Sequence, residues 1–350
     1  MKVSVRTWIS LVTFLLIAVL LYATRHELVE AWNLMSRVNL WILALFIPVV
    51  IASYLVSGEM LFSYLRQKKL VNHLSSLSLM RLSLEMNFVN HALPSGGASG
   101  VSYMTWRMSK LGVTASKATS AQMVRFVAGF AAFSALLLVA VLMITIDGDV
   151  NRWIILVSST LVGLMVAATA VGIYMINTPA RVRVVAEKAS RFVNRITYKL
   201  TRGKKRVLLR EATAVDFLSD MREDYLELRR NKNLLWRPFW WGIVFTLLDV
   251  LMYWIAFWSL GEVVNPAPIL IAYGLATVAG FAVVTPGGSG AYEALMVMFL
   301  AVAGIAQGVA IAGIVLARVL ILITILLVGY AFYQHAIVKY GKPTDTTQRK

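Results

Sequence analysis

The sequence predicts an all-α polytopic membrane protein with about six full spans and two broken or re-entrant helical hairpins, arranged as inverted repeats. Of its 350 residues, 59% are hydrophobic and only 15% are charged, and the mean hydropathy is +0.72. The apolar residues fall in runs of about 20, enough to cross a hydrocarbon core of roughly 30 Å. Two further apolar stretches are each interrupted by proline and glycine, which end or bend a helix.

Six apolar stretches are long enough to be full spans. They are 5–23, 40–64, 119–146, 153–176, 239–260 and 308–332. The first follows Lys2 and Arg6 and resembles a signal peptide, but no small-residue cleavage site precedes Arg25. We therefore predict that this stretch is a retained span.

The two broken stretches run over 75–110 and 267–303, with their breaks at 90–100 and 285–290. Each arm has about 10 to 18 residues, which is short for an upright span. We therefore expect re-entrant helical hairpins or pairs of short, tilted helices. The alternative is that each break merely ends two ordinary helices in a short loop.

The distribution of charge predicts which side of the membrane each segment faces. Cytoplasmic loops carry an excess of Lys and Arg. With the N-terminus inside, 28 of the 34 basic residues fall in cytoplasmic segments, sixteen of them in 178–238, and only three fall in outer segments. The reverse orientation removes this bias. We predict a multi-pass protein with both termini in the cytoplasm.

An internal repeat relates the two broken stretches. An offset of 192 residues superposes Pro94 on Pro286 and Gly96 on Gly288, and the order of span, broken stretch and span recurs at the same offset. An extra span between the repeats reverses the direction of the second, and inverted repeats of this kind underlie alternating access in many transporters. The predicted parts of a single membrane domain, 1–350, are the first repeat 40–146, the linking span 153–176, the basic segment 178–238 and the second repeat 239–332.

The segment 178–238 holds the largest block of basic residues. Thr178 and Pro179 are typical of a helix start, and apolar residues then recur at helical spacing over 182–200 and 208–228. Basic amphipathic helices of this kind lie at the membrane surface, and a helical hairpin packed on the cytoplasmic face fits the pattern equally well. Neither arrangement involves nucleic acid, which we do not expect as a partner.

The composition excludes several classes of site. Cysteine is absent, which excludes disulfides, thiol catalysis and thiolate metal sites. The four histidines show no metal-ligand spacing, and no Gly-Lys-Ser/Thr follows either glycine-rich break, so neither is a nucleotide-binding P-loop. We expect no cofactor and no metal, and transport that is downhill or coupled to an ion.

The two breaks are the predicted binding site. Their Pro and Gly residues expose backbone N–H and C=O groups, which at membrane depth are tolerated only where protein or a water-filled cavity covers them. The N-terminus of a half-helix there offers amides and the positive end of a dipole to a phosphate or carboxylate. The predicted substrate-binding residues are Asn90, His91, Pro94, Gly96, Gly97, Gly100, Arg125, Pro286, Gly287, Gly288, Gly290, Glu293 and Arg318.

Ionisable side chains inside apolar stretches are costly and are candidates for function. Arg125 and Arg318 occupy similar places in the two repeats, and arginine binds phosphate through bidentate, charge-assisted contacts. A salt bridge to Glu59, Asp249 or Glu293 is the alternative. Apart from such a bridge, Glu59 and Asp249 are expected near the membrane boundaries, with no special role.

The carboxylates and polar residues of the broken stretches have local alternatives. Glu293 lies in the first turn after the second break, where it can cap the helix, couple transport to a proton or cation, or bind a cationic headgroup. Asn90 and His91 precede the first break and can cap it or line the site. Arg81 and Glu85 lie four residues apart on one helical face and are expected to pair.

Two motifs carry a resemblance to a known family. They are the segment 90–100 with Leu-Gly-Val at 111–113, and Thr-Pro-Gly-Gly-Ser-Gly-Ala-Tyr-Glu at 285–293. With them the chain resembles the lysylphosphatidylglycerol synthase transmembrane-domain family, the flippase-like domain of bacterial and archaeal membranes, over nearly its whole length. The most specific part is Pro-Gly-Gly-x-Gly-x-x-Glu before an apolar span. The first motif has Ser95 to Gly100 where many members have a Gly-Glu pair and an arginine.

The resemblance implies a role in lipid movement in the cytoplasmic (inner) membrane of a prokaryote. In multidomain members of the family, this membrane region is thought to flip aminoacylated phosphatidylglycerol between leaflets, and a separate soluble domain makes that lipid. The chain ends at Lys350, shortly after its last predicted span. We therefore expect a stand-alone member without the synthase domain, not an enzyme, and aminoacyl transfer is not carried over.

Together these observations predict a flippase-like translocase that moves a phospholipid or lipid-phosphate headgroup through a groove between the inverted repeats. Its expected partners are membrane lipids, above all anionic or aminoacylated phospholipid, and a separate lipid-modifying enzyme. The alternative is an ion-coupled secondary transporter of a small polar solute. A narrow polar cavity closed to the lipid phase favours the solute transporter, whereas a lateral groove favours the translocase.

Overall fold

Every regular element in the described part of the chain is a helix. The computed structural model describes residues 29, 32–92, 98–146, 152–200, 210–282 and 290–341. The predicted span 5–23 lies outside them. The helices are α1 (Leu40–Ala44), α2 (Phe46–Gln67), α3 (Ser76–Ala92), α4 (Ala98–Ser109), α5 (Ala115–Ile146), α6 (Arg152–Ile176), α7 (Pro179–Leu200), α8 (Glu211–Arg230), α9 (Asn233–Ser259), α10 (Pro266–Ala282), α11 (Ala291–Val302), α12 (Gln307–Thr324) and α13 (Tyr330–Tyr340), with a π-helical turn, Ile325–Gly329, before α13.

Five stretches of helix among the described residues are long and apolar enough to cross a membrane. They are Leu40–Gln67, Ala115–Met143, Ile155–Ile176, Asn233–Ser259 and Gln307–Tyr340. Each contains one of the predicted spans or most of it, so the chain is a polytopic membrane protein. The fourth begins at Asn233 rather than at 239, because the helix continues through Arg237 and Pro238, which interrupt the apolar run in the sequence.

Both interrupted stretches form two short helices that pack against each other, α3 with α4 and α10 with α11. In the first pair the Gly100 amide donates to Asn90 Oδ1 at 2.7 Å, and the Tyr103 hydroxyl donates to Glu85 Oε2 at 2.9 Å. The contacts move back along α3 as α4 advances, so the two arms are antiparallel. The first helix of this pair extends to Ala92 and the second begins at Ala98, so that 90–92 and 98–100, which belong to the predicted break at 90–100, are helical.

The antiparallel helices α2 and α9 form the centre of the bundle. At one end, the Asn39 amide donates to the Ser259 carbonyl at 2.7 Å, and at the other end Leu234 packs with Leu61 and Leu65. The helix α2 also packs closely against α3. This close approach depends on glycine at Gly58, where an added Cβ would lie 3.0 Å from the backbone of α3. The two ends are named here the Ser259 end and the α8 end.

The α8 end is covered by the two helices of the basic segment. α7 packs on α6 and α8, and α8 packs on α5, α6 and α9, while Val182 and Ala186 of α7 are buried. Of the two arrangements left open by the sequence, these contacts are those of a packed helical hairpin. The basic side chains of α7, among them Lys188, Arg191 and Arg195, lie on its exposed side.

A buried carboxylate fastens α8 to the bundle. Asp224 is only 3% exposed. It accepts hydrogen bonds from the Tyr64 hydroxyl of α2 at 3.2 Å, from Lys117 Nζ of α5 at 2.6 Å, and from the Ser120 hydroxyl. One side chain therefore joins three helices at the α8 end.

We expect Asp224→Ala to destabilise the protein by about 1–3 kcal/mol, because it leaves the buried donors of Tyr64 and Ser120 without their acceptor. The measurement is thermal unfolding of the purified protein in detergent micelles. Asp216→Ala is the matched control, since Asp216 is exposed on the same helix and its loss should change the stability by about 0.5 kcal/mol or less. Equal melting temperatures for the two variants would contradict this role for Asp224.

Candidate functional site

Four ionisable side chains from different helices meet deep inside the bundle. Arg125 lies ten residues after the start of α5, Asp249 ten residues before the end of α9, and Arg318 eleven residues after the start of α12. At 1.5 Å per residue each is about 15 Å from that helix end. Glu293 joins them from the tip of the hairpin formed by α10 and α11. Charges at such depth need partners or a water-filled cavity.

Arg318 and Glu293 form a salt bridge at the tip of that hairpin. The distance from Arg318 Nε to Glu293 Oε1 is 2.6 Å, and Arg318 is only 8% exposed. The other carboxylate oxygen accepts from the Gly290 amide at 2.6 Å, in a turn where Gly290 has φ +92°, a conformation that favours glycine. Arg318 also lies over the Tyr292 ring, 4.4 Å from its centroid. Glu293 thus caps α11 and neutralises Arg318 at once.

Asp249 is held by hydroxyl groups from two other helices. It accepts from Ser53 Oγ of α2 at 3.0 Å and from the Tyr273 hydroxyl of α10 at 2.6 Å. The expectation that Asp249 lies near a membrane boundary was wrong, because α9 continues for ten residues beyond it towards one end and sixteen towards the other. Glu59, by contrast, pairs at 2.9 Å with Arg66, which is the penultimate residue of α2.

Arg125 lies beside a cavity of about 250 Å³ between α2, α5, α9 and α10. Four of the lining residues are phenylalanine and three are glycine, and Arg125 is the charged one among those described. Its Nη2 is 3.4 Å from Ser57 Oγ, and no described carboxylate lies within ion-pair distance of it. Phe126, one of the lining residues, is 40% exposed.

The cavity and the Asp249 contact share a wall. Tyr273 lines the cavity, and its hydroxyl donates to Asp249. Both Arg125 and Arg318 act on Asp249 electrostatically without touching it. The four charges are therefore one electrostatic unit, formed by residues that stand up to 193 positions apart in the sequence.

The first hairpin contributes polar groups near the same place. Asn90 accepts from the Gly100 amide and so caps α4 across the break. The Nδ1 atom of His91 is 2.9 Å from the Asn87 carbonyl, and the ring lies within electrostatic range of Arg318 and Glu293. His91, near the end of α3, and Glu293, in the first turn of α11, therefore lie within electrostatic range of each other inside the bundle.

The expected pair between Arg81 and Glu85 was wrong. Glu85 instead accepts from Arg107 Nε at 3.2 Å and from the Tyr103 hydroxyl, both on α4. Arg81 is exposed, and its guanidinium group lies 5.2 Å from the centroid of the Phe332 ring. The antiparallel arm α4 supplies better-placed donors than the next turn of α3 does.

The structure places seven of the thirteen predicted site residues. Six others lie outside the described residues: Pro94, Gly96, Gly97, Pro286, Gly287 and Gly288. Ser53, Tyr253, Tyr273 and Tyr292 belong to the site but were missed in the sequence. Their only signal is a hydroxyl group within an apolar stretch.

The described residues contain no group of three or more His, Asp or Glu that could hold a metal ion.

We expect Glu293 and Arg318 to be coupled in stability. In a double-mutant cycle of Glu293→Gln and Arg318→Met, the interaction energy should be roughly 1–3 kcal/mol, because breaking a partly buried pair from either side leaves an uncompensated group. The exposed pair of Glu187 and Arg191 is the control, with about 0.5 kcal/mol or less. Unfolding in mixed micelles provides the measurement, and additive single-variant effects at Glu293 and Arg318 would refute the coupling.

Comparison with known proteins identifies the family. No curated protein and no solved structure matches the chain. Residues 7–329 match the model of the family described as lysylphosphatidylglycerol synthase TM region. That range includes α1 to α12 and the π-helical turn, and with them both hairpins, the cavity and the four central charges. The chain therefore belongs to the lysylphosphatidylglycerol synthase TM region family.

Proposed function

We propose that this protein is a lipid translocase that moves a phospholipid or lipid-phosphate headgroup between the leaflets of the membrane through the cavity beside Arg125. The observation that carries the proposal is the combination of one arginine with a wall of phenylalanine and glycine. Such a site suits an amphiphile, because the guanidinium group can bind a phosphate while the apolar wall contacts the glycerol and acyl parts of the lipid.

The surroundings of Arg125 support an anionic ligand. Arg125 interacts with Asp249 only at a distance, and its closest described polar contact is a long one to Ser57. A direct, charge-assisted contact to a lipid phosphate in the cavity is therefore still open to it. Phe126 lines the cavity and is 40% exposed, and in this proposal the acyl chains stay in the surrounding lipid on that side while the headgroup enters.

The two hairpins support movement by alternating access. α3 follows α2 and α4 precedes α5 at the α8 end, whereas α10 follows α9 and α11 precedes α12 at the Ser259 end. We take 40–146 and 239–332 to be inverted repeats, so that the two hairpins enter the bundle from opposite sides of the membrane. The α8 end carries the large block of basic residues and is the proposed cytoplasmic side.

The family also favours a phospholipid cargo. Its name refers to lysylphosphatidylglycerol, a lipid with a phosphodiester in its headgroup. A small polar solute, the competing cargo, would need a cavity rich in polar groups, whereas the wall beside Arg125 is mostly aromatic and glycine. The proposed substrate class is therefore a membrane lipid with a phosphate in its headgroup.

We expect Arg125→Gln to lower the rate of lipid translocation roughly tenfold or more, because it removes a charge-assisted contact to the phosphate worth about 1.5–3 kcal/mol. Arg125→Lys should retain part of the rate. The measurement is the protein-dependent movement of fluorescent phosphatidylglycerol across the bilayer of proteoliposomes, followed by chemical quenching of the outer leaflet.

Arg81→Gln is the matched control for that experiment. Arg81 is also an arginine in an apolar stretch, but it is exposed and lies against Phe332, so its variant should translocate lipid like the wild type. Proteoliposomes that move no lipid of any headgroup faster than protein-free vesicles would refute the proposed function. Uptake of a water-soluble anion without lipid movement would point to the solute transporter instead.

A further inference from the structure

The charges at the centre of the bundle balance one another before any ligand binds. Arg125 and Arg318 carry two positive charges, and Asp249 and Glu293 carry two negative charges when ionised. Asp249 interacts electrostatically with both arginines, and Glu293 is in contact with Arg318. Since unbalanced charge in a low-dielectric interior is costly, the ligand-free site is stable as a neutral set.

An anionic lipid disturbs this balance. A phosphodiester that binds beside Arg125 adds one negative charge to a set that was already neutral. The arginine gains a partner, but Asp249, which shares the Tyr273 wall with the cavity, then faces a second anion nearby. The site returns to neutrality if one proton binds at the same time.

The two carboxylates differ in how readily they can accept that proton. Glu293 is held by a direct salt bridge from Arg318 and by the Gly290 amide, and both contacts favour its ionised form. Among the described residues, the hydrogen-bond donors to Asp249 are the uncharged hydroxyls of Ser53 and Tyr273. Protonation of Asp249 therefore loses less interaction energy than protonation of Glu293.

The groups that face Asp249 come from every helix packed around it. Those that are titratable or charged are Tyr54 of α2, Arg125 of α5, Tyr253 of α9, Tyr273 of α10 and Arg318 of α12. The arginines keep their charge, and the tyrosines act as neutral hydroxyls. Glu293 forms a salt bridge with Arg318, and His91 lies within electrostatic range of Arg318. Glu293 and His91 are therefore the competing proton acceptors.

We propose that Asp249 takes up one proton when an anionic lipid phosphate binds at Arg125, so that the protein carries lipid anion and proton together in an electroneutral symport. This inference rests on the proposed function. Protonation also weakens the hydrogen bond from Tyr273, because a neutral carboxyl group is a poorer acceptor than a carboxylate. The Tyr273 hydroxyl, on the cavity wall, then becomes available to the phosphate.

The test uses the full chain in proteoliposomes that contain fluorescent phosphatidylglycerol. With a gradient of one pH unit, symport of one proton per lipid should shift the steady-state leaflet ratio of the lipid about tenfold towards the alkaline side. An imposed potassium diffusion potential should leave that ratio unchanged, since no net charge crosses. A wild-type protein that moves the lipid with a leaflet ratio insensitive to the pH gradient would overturn the symport and leave the proposed translocase standing.

Variants assign the proton to a residue. Asp249→Asn should still fold, because its Oδ1 can accept from the Tyr273 hydroxyl while its Nδ2 donates to the Ser53 hydroxyl, and the lipid movement that it supports should not respond to the pH gradient. Glu59→Gln is the matched control: Glu59 is a carboxylate on α2 that pairs with Arg66, and its variant should respond like the wild type. If Asp249→Asn keeps the wild-type response, or if Glu293→Gln or His91→Gln alone abolishes it, the assignment to Asp249 is wrong.

A second measurement covers the case in which Asp249→Asn is inactive. A pH dye trapped inside vesicles of wild-type protein should report one proton taken up for each lipid anion moved inwards. Lipid movement with no accompanying proton uptake would again overturn the symport. Absence of any lipid movement by the wild type would instead remove the proposed function and, with it, this inference.

Discussion

The cost of charge inside a hydrocarbon layer is the constraint on which the centre of this protein depends. Arg125, Asp249, Glu293 and Arg318 come from four different helices, and each would be costly alone at that depth. Placed together they cancel: Glu293 contacts Arg318 directly, and Asp249 lies in the field of both arginines. The bundle therefore brings α5, α9, α11 and α12 together, and the cavity beside Arg125 lies between two of these helices, α5 and α9, and their neighbours α2 and α10.

The starts of the returning helices in the two hairpins are stabilised in a similar way, because their polar backbone groups are paired. Each returning helix begins with amides that lack helical partners, and in each hairpin a side chain accepts from one of them. Asn90 does so across the first break and Glu293 does so within the second. Glu293 has a second role because it also neutralises Arg318. The start of α11 and the buried arginine of α12 are thereby linked by one side chain.

Hydropathy was enough to predict the five spans among the described residues, because a membrane imposes apolar runs of a fixed length. Proline and glycine were enough to predict that two further stretches are divided into short helices. The cap by Asn90 and the salt bridge between Arg318 and Glu293 were among the alternatives that the sequence left open. The pairing of Arg81 with Glu85 was wrong because local spacing cannot reveal an antiparallel arm, and Arg107 reaches Glu85 from that arm. The cavity and the hydroxyl groups around Asp249 were invisible for the same reason, since Ser53 and Tyr273 come from helices far apart in the sequence.

The most direct measurement of the central claim is mass spectrometry of the lipids retained by the purified full chain. If the cavity binds a lipid phosphate through Arg125, the wild-type protein should keep a lipid with a phosphate in its headgroup after washing with detergent. Arg125→Gln should lose that lipid, while Arg81→Gln should keep it. Equal retention by the wild type and Arg125→Gln, or retention of lipids without phosphate, would contradict the account.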